Sequence, residues 1–143
     1  MKQNSVTLAK ILTYSGTLPL IASVVLIFFP VTGFDAALIA TSYSAIIISF
    51  LCGIHWAVYL LFAEKCPRNL LITSNLIALL AWISLFLQHS PIIIFLQALC
   101  FLYLLTLDLK LRDAGIIPEW FYALRRNATM IVVLCLAMLG RIS

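Results

Sequence analysis

The sequence predicts an all-α integral membrane protein, a bundle of five transmembrane helices, and three observations carry that prediction. Of 143 residues, 64% are hydrophobic and 10% charged, and the mean hydropathy is +1.16. Soluble domains run near half apolar and a quarter charged, so this chain holds more apolar surface than a globular core needs. The apolar residues fall into five runs, each close to the roughly 20 residues that cross a bilayer. The basic residues gather in the short turns between those runs, where lysine and arginine fix orientation.

The first span is expected from Leu8 to Phe29, stopping at Pro30 and Gly33. It has a basic start in Lys2 and Lys10, but no A-x-A cleavage site follows, so it reads as a retained span rather than a signal peptide. The second runs from Phe34 to Phe62, long enough to tilt or protrude. The third covers Asn69–Gln88 and the fourth Pro91–Leu107. The fifth covers Asn127–Gly140 and is short, unless it starts at Pro118, a favoured first helical position. The chain reads as one transmembrane domain, residues 1–143.

Orientation follows from the cations. With the N-terminus cytoplasmic, eight of the nine fall inside: Lys2, Lys10, Lys65, Arg68, Lys110, Arg112, Arg125 and Arg126, against Arg141 outside. That split predicts an N-in, C-out topology. The expected setting is a bacterial inner (plasma) membrane, or the mitochondrial inner membrane in a eukaryote. The net charge of +4 forms no basic run or basic helix face, which argues against nucleic acid as a partner. The four cysteines show no paired spacing and suggest no disulfide framework.

The second span is the most informative. Thr41, Ala45, Ser49, Gly53 and Ala57 recur every four residues, a ridge of small side chains against which another helix can pack closely. At 100° per residue, Ser44, Ile48, Cys52, His55 and Tyr59 lie on the opposite face. A helix small on one side and polar on the other is expected to touch protein on both, so the second helix is expected to be central. His55 is read as the only ionisable group well inside a span, which makes it a functional candidate. The competing reading is a neutral packing histidine satisfied by one hydrogen bond from a serine or to a carbonyl. Cys52 and His55 make half a metal site at best, so no metal is expected.

In the stretch Leu107–Asn127, Gly115 reads as a helix stop and Pro118 as a start, which makes a tight hairpin between the fourth and fifth helices. Reflection about residues 116–117 brings Asp108 level with Arg125. An ion pair of Asp108 with Arg125 or Arg126 is therefore expected, with Arg112 at i+4 as competitor. The apolar turn is expected in the headgroup region, anchored by Trp120 and Tyr122. The carboxylates, Asp108 included, are placed at span ends or turns. Thr73, Ser74, Asn75, Ser84 and Gln97 are expected to seek partners in the bundle. No G-x-S-x-G, H-E-x-x-H, Walker loop or close carboxylate pair occurs, which leans against an enzyme.

Two stretches carry a resemblance. Tyr43-Ser44-Ala45 with Ser49-Phe50-Leu51-Cys52-Gly53-Ile54-His55-Trp56, and Gly115-Ile116-Ile117-Pro118-Glu119-Trp120-Phe121 with Leu124-Arg125, are similar to two signatures of an uncharacterised membrane family. This is domain-of-unknown-function 3429, which includes the transmembrane protein 69 group. The family pattern has glycine where Cys52 stands and more often arginine than histidine at position 55, so a Cys52–His55 metal site is not implied. The resemblance implies an inner-membrane setting and no particular chemistry.

The leading functional expectation is a non-enzymatic accessory subunit, assembly factor or scaffold of a larger membrane complex, with the lipid bilayer and a membrane-protein partner or a second copy as its contacts. The alternatives are a small transporter or channel acting as an oligomer, and a quinone-, lipid- or haem-handling protein using His55 and the Trp120/Arg125 hairpin. No cofactor is expected under the first reading; haem or quinone belongs to the last.

Overall fold

The computed structural model describes residues 2–142, and the side chains of residues 2–141. Over those residues the chain forms helices α1 (Gln3–Ser15), α2 (Leu18–Phe28), α3 (Ala36–Phe62), α4 (Leu70–Ser84), α5 (Ile92–Asp113) and α6 (Glu119–Ile142). Single 3₁₀ turns extend α3 to Lys65 and α4 to Leu87. Five segments are long and apolar enough to cross a membrane: Gln3–Phe28, Ala36–Lys65, Leu70–Leu87, Ile92–Asp113 and Glu119–Arg141. Large apolar side chains such as Leu61, Phe29 and Phe86 are more than 70% exposed. On a soluble protein such patches would drive association, whereas hydrocarbon accepts them.

Local chemistry sets the ends. Asp35 caps α3 by accepting from the Leu38 amide at 3.1 Å, and the Asn69 side chain caps α4 through the amides of Leu71 and Ile72. Gly115, at φ +76°, follows α5, where the Ile116 amide returns to the Leu111 carbonyl at 3.0 Å and that of Gly115 to Arg112 at 2.9 Å. This left-handed stop closes the last turn of the helix and lets the chain reverse.

Two spans differ from the sequence expectation, and the fifth adopts one of its two expected starts. The first span begins at Gln3, not Leu8, because polar residues lower hydropathy without breaking helical backbone. It is also broken between α1 and α2 at Gly16–Thr17, where Pro19 has no N–H to continue the ladder. The Tyr43 hydroxyl donates to the Gly16 carbonyl at 2.7 Å, tying the break to α3. The fourth span runs past Leu107 to Asp113, since Lys110 and Arg112 suit the negative end of a helix. The fifth starts at Glu119 directly after Pro118, with the Tyr122 amide bonded to the Pro118 carbonyl at 3.2 Å, so the earlier of the two expected starts is the one adopted.

The helices alternate, so one end of the bundle gathers Lys65, Arg68, Lys110, Arg112 and the α5–α6 turn; it is termed the basic end. α3 packs on α2, α4 and α5, while α5 packs on α3, α4 and α6. α5 buries nine of its 22 residues and the longer α3 eight of its 27, so α5 shares the centre with α3. Ile48, Phe101, Leu104, Leu107 and Leu136 fill that centre. Lipid tails are as apolar as leucine, so what holds these helices together is close packing and polar contacts. α1 has no buried residue and packs chiefly on α6.

Candidate functional site

Near the basic end three helices each contribute one ionisable side chain. His55 lies seven residues before the end of α3, Asp108 five before the end of α5, and Arg125 six after the start of α6. At 1.5 Å per residue all three sit about 8–10 Å inside the helix ends, which places them level. They meet. His55 Nε2 is 2.9 Å from Asp108 Oδ1, while Arg125 Nε donates to Asp108 Oδ2 at 3.1 Å and Nη2 lies 3.0 Å from the same oxygen as an ion pair. Their side chains are 2%, 3% and 9% exposed, so water offers no alternative partner.

The bonding determines how the carboxylate is held. Both oxygens of Asp108 are engaged, one by each neighbour, which fixes its rotation. Arg125 directs Nε and Nη2 at one oxygen, the first as a hydrogen bond and the second as an ion pair, and its third nitrogen, Nη1, has no partner among the described residues. With a proton on Nε2 directed at Asp108, His55 Nδ1 is left as a buried acceptor without a partner.

Beside this cluster lies a cavity of ≈ 320 Å³ between α1, α3, α5 and α6. Leu12, Gly16, Leu51 and Phe101 form apolar wall, and among the described residues Arg125 is the only charged one of the lining. Thr129, one turn beyond Arg125 on α6, also lines it. Thr129 is 2% exposed, and its hydroxyl forms no hydrogen bond among the described residues, whereas those of Thr13 and Thr17 are spent on Ala9 and Tyr14 carbonyls.

A family model described as protein of unknown function, DUF3429, matches residues 5–139. The chain belongs to this family. No curated protein and no solved structure matches it.

In this DUF3429 chain the residues singled out from sequence separate into three groups. Asp108 pairs with Arg125; Arg126 is exposed, and Arg112 instead bonds Asp113 at 3.1 Å and Glu119 at 3.3 Å. Asp108 and Arg125 are not at span ends, because α5 and α6 run further than hydropathy indicates, and His55 is therefore not the only ionisable group inside. Its partner is a carboxylate rather than a serine or carbonyl. The matching depth of His55, Asp108 and Arg125 emerges only once the true helix ends are known, so hydropathy gave no signal for it. Tyr122 is buried with the Arg112 guanidinium 4.5 Å above its ring, so it packs inside the hairpin instead of anchoring at a headgroup; Trp120 is half-buried.

The small-residue ridge divides. Thr41 and Ala45 are buried, while Ser49, Gly53 and Ala57 are exposed, and a Cβ at Gly53 would meet nothing within 4 Å. On the other face Ser44, Cys52 and His55 are buried and Tyr59 half-buried. At the far end Gln97 Nε2 donates to the Thr41 carbonyl at 2.9 Å and Ser84 Oγ at 3.2 Å, linking α5 to α3 and α4. Thr73, Ser74, Asn75 and Ser84 bond carbonyls of their own helix, so only Gln97 of that set donates across helices.

Proposed function

We propose that this protein is a small, non-enzymatic membrane component that holds one lipid-like molecule inside the bundle. The observation that carries the reading is the cavity of ≈ 320 Å³, apolar on most of its wall and offering a single guanidinium. Ligand pockets run upwards from about 300 Å³ and combine apolar lining with a few placed polar groups. The cavity lies between α1 and α3 at membrane depth, and α1, which has no buried residue, packs mainly on α6. A molecule dissolved in the bilayer therefore has a lateral way in. In this reading the basic end faces the cytoplasm, as the eight-to-one distribution of cations suggests, and the membrane is the plasma or inner membrane.

The test is chemical. The full chain is purified in mild detergent, stripped of loosely held lipid, and analysed by native mass spectrometry and organic extraction. One retained amphiphile per chain is expected, and Ala128→Trp, which places an indole at the cavity wall, should lose it while staying monodisperse. An empty wild-type chain, or retention by the folded Ala128→Trp variant, would refute the reading.

A second reading has its own observation. Ser49, Gly53 and Ala57 present a close-packing surface that none of the described residues covers. That supports an accessory or scaffold role in which a partner helix or a second copy sits there. The two readings are compatible, because the cavity and the ridge engage different molecules.

A further inference from the structure

We infer that Arg125 and Thr129 form a receiving station for a neutral carbonyl oxygen, so that the cavity takes a carbonyl-headed amphiphile in preference to a carboxylate or a phosphate. The inference rests on the lipid-binding reading and specifies the head group.

Two donors define the station. Arg125 Nη1 and the Thr129 hydroxyl lie one turn apart on α6, both belong to cavity-lining residues, and neither has a partner among the described residues. Positions i and i+4 share a helix face, so one oxygen can accept from both. Every other polar side chain of the lining, Thr13 and Thr17, already donates to its own helix backbone. What the station lacks is an acceptor for its two unpartnered donors.

Charge then selects among acceptors. The guanidinium of Arg125 is matched one for one by Asp108, whose second oxygen is taken by His55. Lys10 on α1 follows the lining residue Ala9 but is exposed and does not line the cavity, and α2 and α4 carry no titratable side chain, so among the described residues no second cation of the lining stands ready for an anion. A ligand anion would bring an unmatched charge into an apolar enclosure, and burying such a charge is strongly unfavourable. A ketone or ester oxygen brings acceptor capacity without charge. Two sources share that chemistry: the ring carbonyl of an isoprenoid-type quinone and the ester carbonyl of a glycerolipid.

The full chain, delipidated in detergent, is titrated with four probes: a short-chain benzoquinone, dioctanoylglycerol, decanoate at a pH where it is ionised, and dodecane. At least one carbonyl probe should bind tenfold or more tightly than decanoate, and the ranking of quinone against diacylglycerol identifies the source. Thr129→Val, equal in shape, should weaken the carbonyl probe about three- to tenfold, the value of one hydrogen bond, and leave dodecane unchanged. Decanoate binding as tightly as the carbonyl probes would overturn the inference, and so would an equal effect of Thr129→Val on every probe. Binding of none of the four would refute the lipid-binding reading itself, which a mere lack of preference would not.

Discussion

The buried cluster makes its clearest prediction at Asp108. Replacing it by alanine removes the acceptor of three contacts, at 2.9, 3.0 and 3.1 Å, and strands a guanidinium that is 9% exposed. Breaking a buried ion pair from one side costs about 3–5 kcal/mol, because the remaining charge is left uncompensated. An ordinary interhelical hydrogen bond in a membrane averages only about 0.6 kcal/mol, so the two accounts of Asp108 differ several-fold. At about 2–4 °C per kcal/mol for a chain of this size, Asp108→Ala should lower the thermal midpoint in detergent by roughly 6–20 °C.

The double variant Asp108→Leu/Arg125→Met removes both charges and restores apolar volume. Replacing a buried pair by apolar residues is often neutral or better, and the residual cost is His55 without its acceptor, about 1–3 kcal/mol. The double variant should therefore be more stable than either single one, with a coupling energy near the upper end of the usual range of about 0.5–3 kcal/mol. The assay is thermal unfolding followed by far-ultraviolet circular dichroism and by monodispersity in one detergent. An Asp108→Ala variant within about 1 kcal/mol of wild type, or additive single and double variants, would refute the claim that charge compensation holds α3, α5 and α6 together.

Two further substitutions separate backbone from surface. Gly115→Ala puts a side chain at φ +76° in the α5–α6 turn, and should cost about 1–2 kcal/mol in the same unfolding assay; an unchanged midpoint would show that the turn relaxes. Gly53→Leu enters open space, so the isolated chain should keep its midpoint or gain up to about 1 kcal/mol from helix propensity, whereas any dimer or co-purifying partner seen by size-exclusion chromatography with light scattering should be lost. Retention of that assembly by Gly53→Leu would remove the ridge as its interface.

Most of the architecture was legible because bilayer thickness imposes a length on apolar runs. What blurred was where each helix ends. Hydropathy falls at Asp108, yet Leu107 and Leu111 carry the buried stripe one turn further and the helix continues to Asp113, and this extension places Asp108 inside the helix end. The reflection about residues 116–117 still paired Asp108 with Arg125, because a tight hairpin fixes register independently of depth. His55 was not linked to them, since nothing local in a sequence brings α3 beside the α5–α6 hairpin. The ridge shows a different limit. Spacing by four identifies Thr41 to Ala57 as one stripe, but lipid and protein interior are equally apolar, so composition does not say that Ser49, Gly53 and Ala57 are left uncovered. The cavity had no sequence signal at all, because it arises where α1 breaks from α2 at Gly16–Thr17, a product of packing.

The choice of arginine at position 125 connects the cluster to the cavity. A planar guanidinium presents five N–H donors in fixed directions, so Nε and Nη2 can hold Asp108 while Nη1 remains free. A lysine ammonium gathers its three donors at one point, so it would serve both only where the carboxylate and the ligand oxygen lie within reach of a single nitrogen. The carboxylate in turn must not swing toward the cavity, where it would compete with any ligand oxygen for Nη1. His55 prevents this by holding Oδ1 from the α3 side at 2.9 Å. Under the lipid-binding proposal His55 is a positioning residue: it reaches the cavity only through Asp108 and Arg125, which is how a histidine absent from the cavity wall would bear on what the cavity can hold.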